Sequence, residues 1–353
     1  MSPLRVAVVG YGLAGAVFHA PLIAVEPRMR VAAVVTSSAE RAERAIREHP
    51  GARVLSTVTQ LFDDPSEIDL VVIATPNRSH APLAMSAIEA GLPVVVDKPF
   101  TVTVAEAEQV VAAAEKAQVP LSVFQNRRWD SDFRTVESLI AANRLGHVHR
   151  FESRIERWRP EPKGGWRELG DETDGAGYLY DLGSHLIDQA LTLFGPVAEI
   201  YCELDRRRTG VRADDDAFLA LTHANGVRSH LWMNAVAAQH GPRFRVLGSD
   251  NAYVVYGTDP QEAQLRAGRR PDHEHWGTVH PEDWGELGIE SDARRVRSLP
   301  GDYRCYYRAM ADTLLVGTPV PVDARDALET MKILEHARLA HAQTHPEPAF
   351  GRM

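Results

Sequence analysis

Residues 5–15 read RVAVVGYGLAG, and this stretch decides how the N-terminal part of the chain folds. Arg5 to Val9 is a short, largely β-branched run suited to a buried strand, and it stops at Gly10. Gly10, Tyr11, Gly12, Leu13, Ala14 and Gly15 then spell G-x-G-x-x-G at the point where a helix should open. There each glycine has its own task. Gly10 permits the tight turn, Gly12 lets backbone approach a pyrophosphate, and Gly15 lets helix pack on strand. The free N–H groups and positive dipole end of the helix complete the anion site. The stretch predicts a strand, a turn and a helix that together hold a dinucleotide.

Outward from it, short β-branched runs alternate with helical patterns as far as residue 125, the signature of β-α-β units and a parallel sheet. Strands are expected at Arg5 to Val9, Val31 to Val35, Arg53 to Leu55, Leu70 to Ala74, Val94 to Val96 and Leu121 to Phe124. Three helix starts carry capping boxes, Ser37 with Glu40, Thr57 with Gln60 and Thr103 with Glu106, and Gly91 stands where a helix C-cap is wanted. After Gln125 the pattern changes. A helix over Asp132 to Ala142 and a strand over Val148 to Arg157 lead into a charged, Gly-rich loop, Pro160 to Gly177, and a helix from Tyr178 to Phe194. Strands at Ala198 to Leu204, Ala217 to His223, Val227 to Asn234, Phe244 to Leu247 and Ala252 to Tyr256 make a mostly antiparallel set, with Asn225-Gly226 at one turn. Residues 266–301 read as a polar excursion, and helices near Tyr303 to Val316 and Ala324 to Ala342 close the chain. The fold class is thus an α/β doubly wound parallel sheet over residues 1–125, then an α+β domain with an open, mostly antiparallel sheet over residues 126–353.

Composition agrees. The 353 residues are 44% hydrophobic and 25% charged, which excludes disordered, collagen-like and coiled-coil chains and suffices for two cores. A formal net charge of -9 offers no basic footprint for nucleic acid or anionic lipid. Cys202 and Cys305 cannot build a disulfide framework, so a reducing, cytoplasmic setting is expected. The apolar run Val6 to Val9 is too short for a signal peptide, and no apolar run is long enough to span a membrane.

Several positions bear on chemistry. An NAD enzyme usually carries an acidic residue after the second strand, about 20 residues past the glycines. This chain reads Thr36-Ser37-Ser38 there, with Arg41 a turn later, and hydroxyls plus a guanidinium suit a 2′-phosphate. NADP is therefore favoured, with NAD the alternative; a plain helix start would look the same. Thr75, Pro76 and Asn77 end the fourth strand, and Asp97, Lys98 and Pro99 end the fifth, both at the carboxyl edge that lines the ligand crevice. His80 reads as a packing or capping residue. Only Lys98, Lys116, Lys163 and Lys332 are lysines among 39 basic residues, so Lys98 marks a place where an ammonium is wanted. Asp181 and His185 lie four apart on one helical face, a carboxylate–imidazole pair fit for proton transfer. His273, His275 and His280, with Asp272 and Glu274, lack any familiar zinc spacing, and no metal site is assigned. Arg206-Arg207-Arg208 and Asp214-Asp215-Asp216 read as a solvated hairpin connection without a function.

Taken together, Gly10 to Pro21 (GYGLAGAVFHAP), Thr75 to His80, Asp97-Lys98-Pro99, Gln125 to Phe133 (QNRRWDSDF), Trp166-Arg167-Glu168 and Leu179 to Gln189 (LYDLGSHLIDQ) resemble the Gfo/Idh/MocA oxidoreductases, and within them the NADP-dependent scyllo-inositol dehydrogenase-like members. The resemblance covers essentially the whole chain. It implies a Rossmann domain, then a domain whose open sheet forms the substrate floor and an oligomer interface, hence a homodimer or homotetramer. It also implies catalytic roles for Lys98, Asp181 and His185, and cofactor-side contacts from Trp166 and Arg167. Asp97 stands where the family has Glu. Arg127, Arg128, Trp129 and Asp130 are expected at the domain junction, lining the substrate pocket or, equally, making an interdomain salt bridge. The activity implied is hydride transfer between a secondary alcohol of a cyclic polyol or sugar and NADP. The same scaffold can also serve as a sugar-responsive regulatory protein or an NAD-dependent glycoside hydrolase.

Overall fold

The computed structural model describes residues 2–344. The chain divides into two compact units, and the division is not a single cut at residue 125. The first unit runs to Thr135 and then takes back residues 259–280 and 298–328; the second holds residues 136–258, 281–297 and the rest of the C-terminal helix.

In the first unit six described strands, β1 (Leu4–Val9), β2 (Met29–Val35), β3 (Arg53–Leu55), β4 (Leu70–Ile73), β5 (Val94–Val96) and β6 (Leu121–Val123), form one sheet in the order β3-β2-β1-β4-β5-β6. Every pairing is parallel, so this is the doubly wound order whose chain reverses direction of travel between β1 and β4. The sheet is buried on both faces, which is why its strands are near-continuous Val, Ile and Ala rather than alternating. The returning segment is held by aromatic packing. Tyr303, Tyr306, Tyr307 and Met310, at helical spacing around Arg304–Val316, are buried in the same core as Phe124. Tyr306 meets Phe124 edge-on at 4.8 Å and donates its hydroxyl to Ser122 of β6 at 2.8 Å.

In the second unit eight described strands make one sheet: β7 (Val148–Glu156), β8 (Val197–Asp205), β9 (Asp216–His223), β10 (Arg228–Asn234), β11 (Phe244–Gly248), β12 (Ala252–Val255), β13 (Glu286–Gly288) and β14 (Arg294–Arg295). Their order is β14-β13-β12-β11-β7-β10-β9-β8, antiparallel except where β10 meets β7. Alternation separates its faces. Ala217, Leu219, Leu221, Leu231 and Met233 are buried, while their neighbours Phe218 and Trp232 lie on the other, part-exposed face beside exposed Tyr201. The polar excursion is not structureless. It follows the helix Gln261–Arg266 of the first unit and contributes β13 and β14 to the second.

The helix expected over Tyr178 to Phe194 starts with a π-wound turn, Leu179–Gly183, and becomes α only over Ser184–Phe194. The helix after the glycines does the same, π over Ala14–His19 and α over Ala20–Val25. Such insertions gather at functional sites because they turn side chains off the regular helical face.

Candidate functional site

The glycines of the first unit divide by what surrounds them. Gly10 has φ +93°, and a Cβ there would lie 2.5 Å from the Ala74 carbonyl oxygen at the end of β4. A Cβ on Gly15 would lie 1.9 Å from the Gly10 carbonyl oxygen, so both glycines are required by the fold itself. Gly12 is different. Its Cβ would meet nothing nearer than the Arg41 guanidinium at 3.8 Å, and the space in front of it is open. A cradle that the protein leaves unfilled beside a guanidinium fits the phosphates of a dinucleotide. Of the rest of the motif, Leu13 is exposed and Ala14 half-buried, whereas Tyr11 turns inward, its hydroxyl donating to Glu48 at 2.8 Å. Tyr11 therefore offers a nucleotide only its backbone.

At the end of β2 the helix cap is Ser38, whose hydroxyl accepts from the Arg41 amide at 3.4 Å, and not Ser37 as the spacing to Glu40 suggests. The shift frees exposed Ser37, while Thr36 accepts from the Ser38 amide at 3.4 Å. Thr75 packs its methyl group toward Gly10 and shares a 2.8 Å hydrogen bond with Ser79; Pro76 is exposed and Asn77 buried. His80 is buried with one ring nitrogen 3.0 Å from the Thr75 carbonyl and the other 2.9 Å from that of Pro99. Burial pushes its pKa below the ordinary imidazole value, and its role is to join the ends of β4 and β5.

Half-buried Lys98 follows β5, joined by a cis peptide bond to Pro99. Its amide donates to the Asp97 carboxylate at 2.9 Å. Burial would raise the Asp97 pKa, but His19, Lys98 and His80 together hold it below the carboxylate range. His19 is a residue the sequence did not mark. It is fully buried, stacked 4.2 Å from Phe124, with Nδ1 2.6 Å from the Tyr307 hydroxyl and Nε2 3.7 Å from Asp97 Oδ1. Its only trace in the sequence is its place in GYGLAGAVFHAP; Tyr307 lies 288 positions away.

Residues 127–130 have these partners. Arg127 pairs with Asp130 at 3.0 Å and Glu262 at 2.7 Å, Arg128 reaches Asp326 at 3.2 Å, and Trp129 meets Tyr306 edge-on. Asp130 is fully buried and accepts from the Tyr303 hydroxyl at 2.6 Å. These contacts all lie within the first unit and tie its returning helices to residues 127–130.

The second unit gathers its own set. Trp166 and Arg167 begin the short helix Trp166–Leu169, and the Arg167 guanidinium lies 4.6 Å over the Trp166 ring. Arg167 Nε is 3.4 Å from Asp181 Oδ1. Asp181, about a quarter exposed, sits in the π turn, and His185, 5% exposed, in the first α turn after it. A carboxylate backed by a guanidinium, with an imidazole on the next turn, can accept a proton and support the cation that results. Among the described residues no group of three or more His, Cys, Asp or Glu could hold a metal ion, and no helix is long and apolar enough to cross a membrane.

A glycine cradle on a doubly wound sheet, followed by a carboxylate–histidine helix, defines an NAD(P)-dependent dehydrogenase. Comparison with known proteins agrees. Residues 4–125 match the oxidoreductase family with an NAD-binding Rossmann fold, and residues 133–254 match the GFO/IDH/MocA C-terminal domain. The chain is 43% identical to the uncharacterized oxidoreductase YdgJ of Escherichia coli, covering 94% of each. It is 36% identical to scyllo-inositol 2-dehydrogenase (NADP(+)) IolW of Bacillus subtilis, over 95% of this chain and 92% of that one. An oxidoreductase of solved structure from Bacillus cereus superposes with a TM-score of 0.85 at 28% identity, covering 99% and 98%. The chain belongs to the Gfo/Idh/MocA oxidoreductase family.

Proposed function

We propose that this enzyme oxidises a secondary alcohol of a cyclic polyol or sugar with NADP, or runs the reverse reduction. The observation that carries the cofactor half is Arg41 beside the open Gly12, with Thr36 and Ser37 where an NAD enzyme usually carries a carboxylate. The similarity to an inositol dehydrogenase named for NADP supports both halves.

Backbone from Gly10 to Gly15 would hold the pyrophosphate, Thr36, Ser37 and Arg41 the 2′-phosphate, and Thr75, Asn77 and Trp166 further parts of the cofactor. Bound nicotinamide supplies the hydride acceptor. His185 takes the proton of the substrate hydroxyl on its imidazole. Asp181 supports the imidazolium, and Arg167, 3.4 Å away, orients Asp181. The Lys98 ammonium stabilises negative charge as it develops on the carbinol oxygen.

The test is a screen of NADP reduction over inositols, aldoses and ketoses. Turnover with one polyol, faster with NADP than with NAD, is expected; cofactor binding without turnover on any of them overturns the reading. We further propose that the protein assembles through the sheet face bearing Tyr201, Phe218 and Trp232, since an aromatic face of that kind is seldom left bare. Light scattering should give a dimer or tetramer, and a monomer at micromolar concentration would contradict it. Free thiols at Cys202 and Cys305 suit a reducing cytoplasmic setting.

A further inference from the structure

The connection between β8 and β9, residues 206–215, has the sequence of a solvated turn, with three arginines at its start and acidic residues at its end. It is not solvated. The Arg208 and Asp215 side chains are each 1% exposed, and Arg208 Nε donates to Asp215 Oδ2 at 2.8 Å. The same guanidinium donates through Nη1 to Glu168 Oε1 at 2.9 Å. Glu168 belongs to the short helix of Trp166 and Arg167, and its carbonyl accepts from the Arg212 amide at 2.8 Å.

Asp214 grips a second segment. The Asp214 carbonyl accepts from the Tyr178 amide at 2.9 Å, and its carboxylate Oδ2 accepts from the Leu179 amide at 2.7 Å. These amides open the helix that carries Asp181 and His185, where no preceding turn can satisfy them. Gly177 makes the approach feasible. It has φ +100°, and a Cβ there would lie 1.9 Å from Asp214 Oδ1. Its amide donates to the Arg167 carbonyl, and its carbonyl accepts from the Asp181 amide, both at 3.0 Å.

We propose that this connection is a positioning device for the proposed active site: Arg208 and Asp214 together fix the Arg167 segment against the Asp181–His185 helix. The inference rests on the dehydrogenase reading for its purpose, but not for its geometry. One rigid turn grips both segments, so it sets how Arg167 meets Asp181 and, through that carboxylate, how readily His185 holds a proton. Arg208 is suited to the task because its fork engages two carboxylates in different directions at once, which a lysine cannot do.

The test follows His185 itself. Its imidazole resonance, assigned by loss of the signal in His185→Gln, is titrated in the full-length protein with NADPH present, beside NADPH affinity and turnover on whichever polyol the screen finds. Arg208→Lys and Asp214→Ala should displace the His185 midpoint by about 0.5 or more on the pH scale. They should also lower kcat about tenfold or more while NADPH affinity stays within about twofold. Asp214→Asn keeps an acceptor for the Leu179 amide and should restore the wild-type titration. If Asp214→Ala does not fold, Arg208→Lys, which preserves the buried positive charge, carries the same expectation. A wild-type His185 midpoint in folded Arg208→Lys overturns the proposal. Absence of polyol turnover in the unmutated enzyme would instead fail the dehydrogenase reading, and the titration would still decide the positioning role.

Discussion

Gly12→Ala separates binding from folding more cleanly than any other single change in the nucleotide loop. The added methyl would have the Arg41 guanidinium at 3.8 Å as its nearest protein neighbour, an ordinary contact, and Gly12 does not have positive φ. The fold should therefore change by no more than about 0.5 kcal/mol, or about 2 °C in Tm. A phosphate has no such freedom, because the methyl would occupy the space through which it reaches the backbone amides. Losing one charge-assisted hydrogen bond of about 1.5–3 kcal/mol weakens binding by about 10- to 100-fold. Gly15→Ala is the contrast. Its methyl would stand 1.9 Å from the Gly10 carbonyl oxygen, so binding and about 1–3 kcal/mol of stability should go together. Fluorescence titration of NADPH and thermal melts of both variants measure the two quantities. Wild-type NADPH affinity in Gly12→Ala, with an unchanged melt, would refute the placing of the pyrophosphate at this loop.

Arg41→Ala should weaken NADPH binding about tenfold and leave NADH nearly untouched, narrowing a preference that the unmutated enzyme must show in titration; equal affinities there would sink the 2′-phosphate assignment. His185→Ala should cut turnover about a hundredfold or more with cofactor affinity preserved, and Lys98→Arg should lose most activity despite keeping its charge, since a planar fork replaces a compact ammonium. Near-normal steady-state rates in both would make the two positions structural. Asp214 gives a pH signature. Burial pushes its pKa from the ordinary 3.8 up to about 6, so the folded protein binds this proton more tightly than the unfolded chain does. The stabilisation is complete below about pH 3.8 and is lost as pH rises through about 6, amounting to at most about 3 kcal/mol. Asp214→Asn has no proton to lose, so its denaturant-unfolding stability should fall less than the wild-type value between pH 4 and pH 7. Parallel profiles would show that Asp214 does not titrate in this window.

How much was legible in the sequence differs from feature to feature. The strands of the first sheet appear as β-branched runs because both faces of a parallel sheet are buried, and the capping box of Thr103 with Glu106 forms as spaced. The roles of Gly10 and Gly15 follow from backbone geometry that any occupant of such a turn must satisfy. Ser37 was misjudged for a local reason, since two serines in succession both satisfy the cap pattern and only the chain's exit from β2 selects Ser38. Arg208 was misjudged for another, while its neighbours Arg206 and Arg207 are exposed as expected. Charge by itself reads as exposure, and only a partner far along the chain makes an arginine a buried strut.

What the amino-acid order determined, then, is whatever a short segment enforces on itself: strand, turn, cap, a glycine that must be glycine, and a carboxylate one turn from an imidazole. Those preferences act between neighbours and leave periodic traces. Tertiary structure decided where charge and aromatic surface go. Arg127 finds Glu262 across 135 positions, His19 finds Tyr307 across 288, and Arg208 finds Glu168 across 40. Each such pairing is favourable only once both partners leave water together, and that condition is met by the folded core and by no local stretch of the chain.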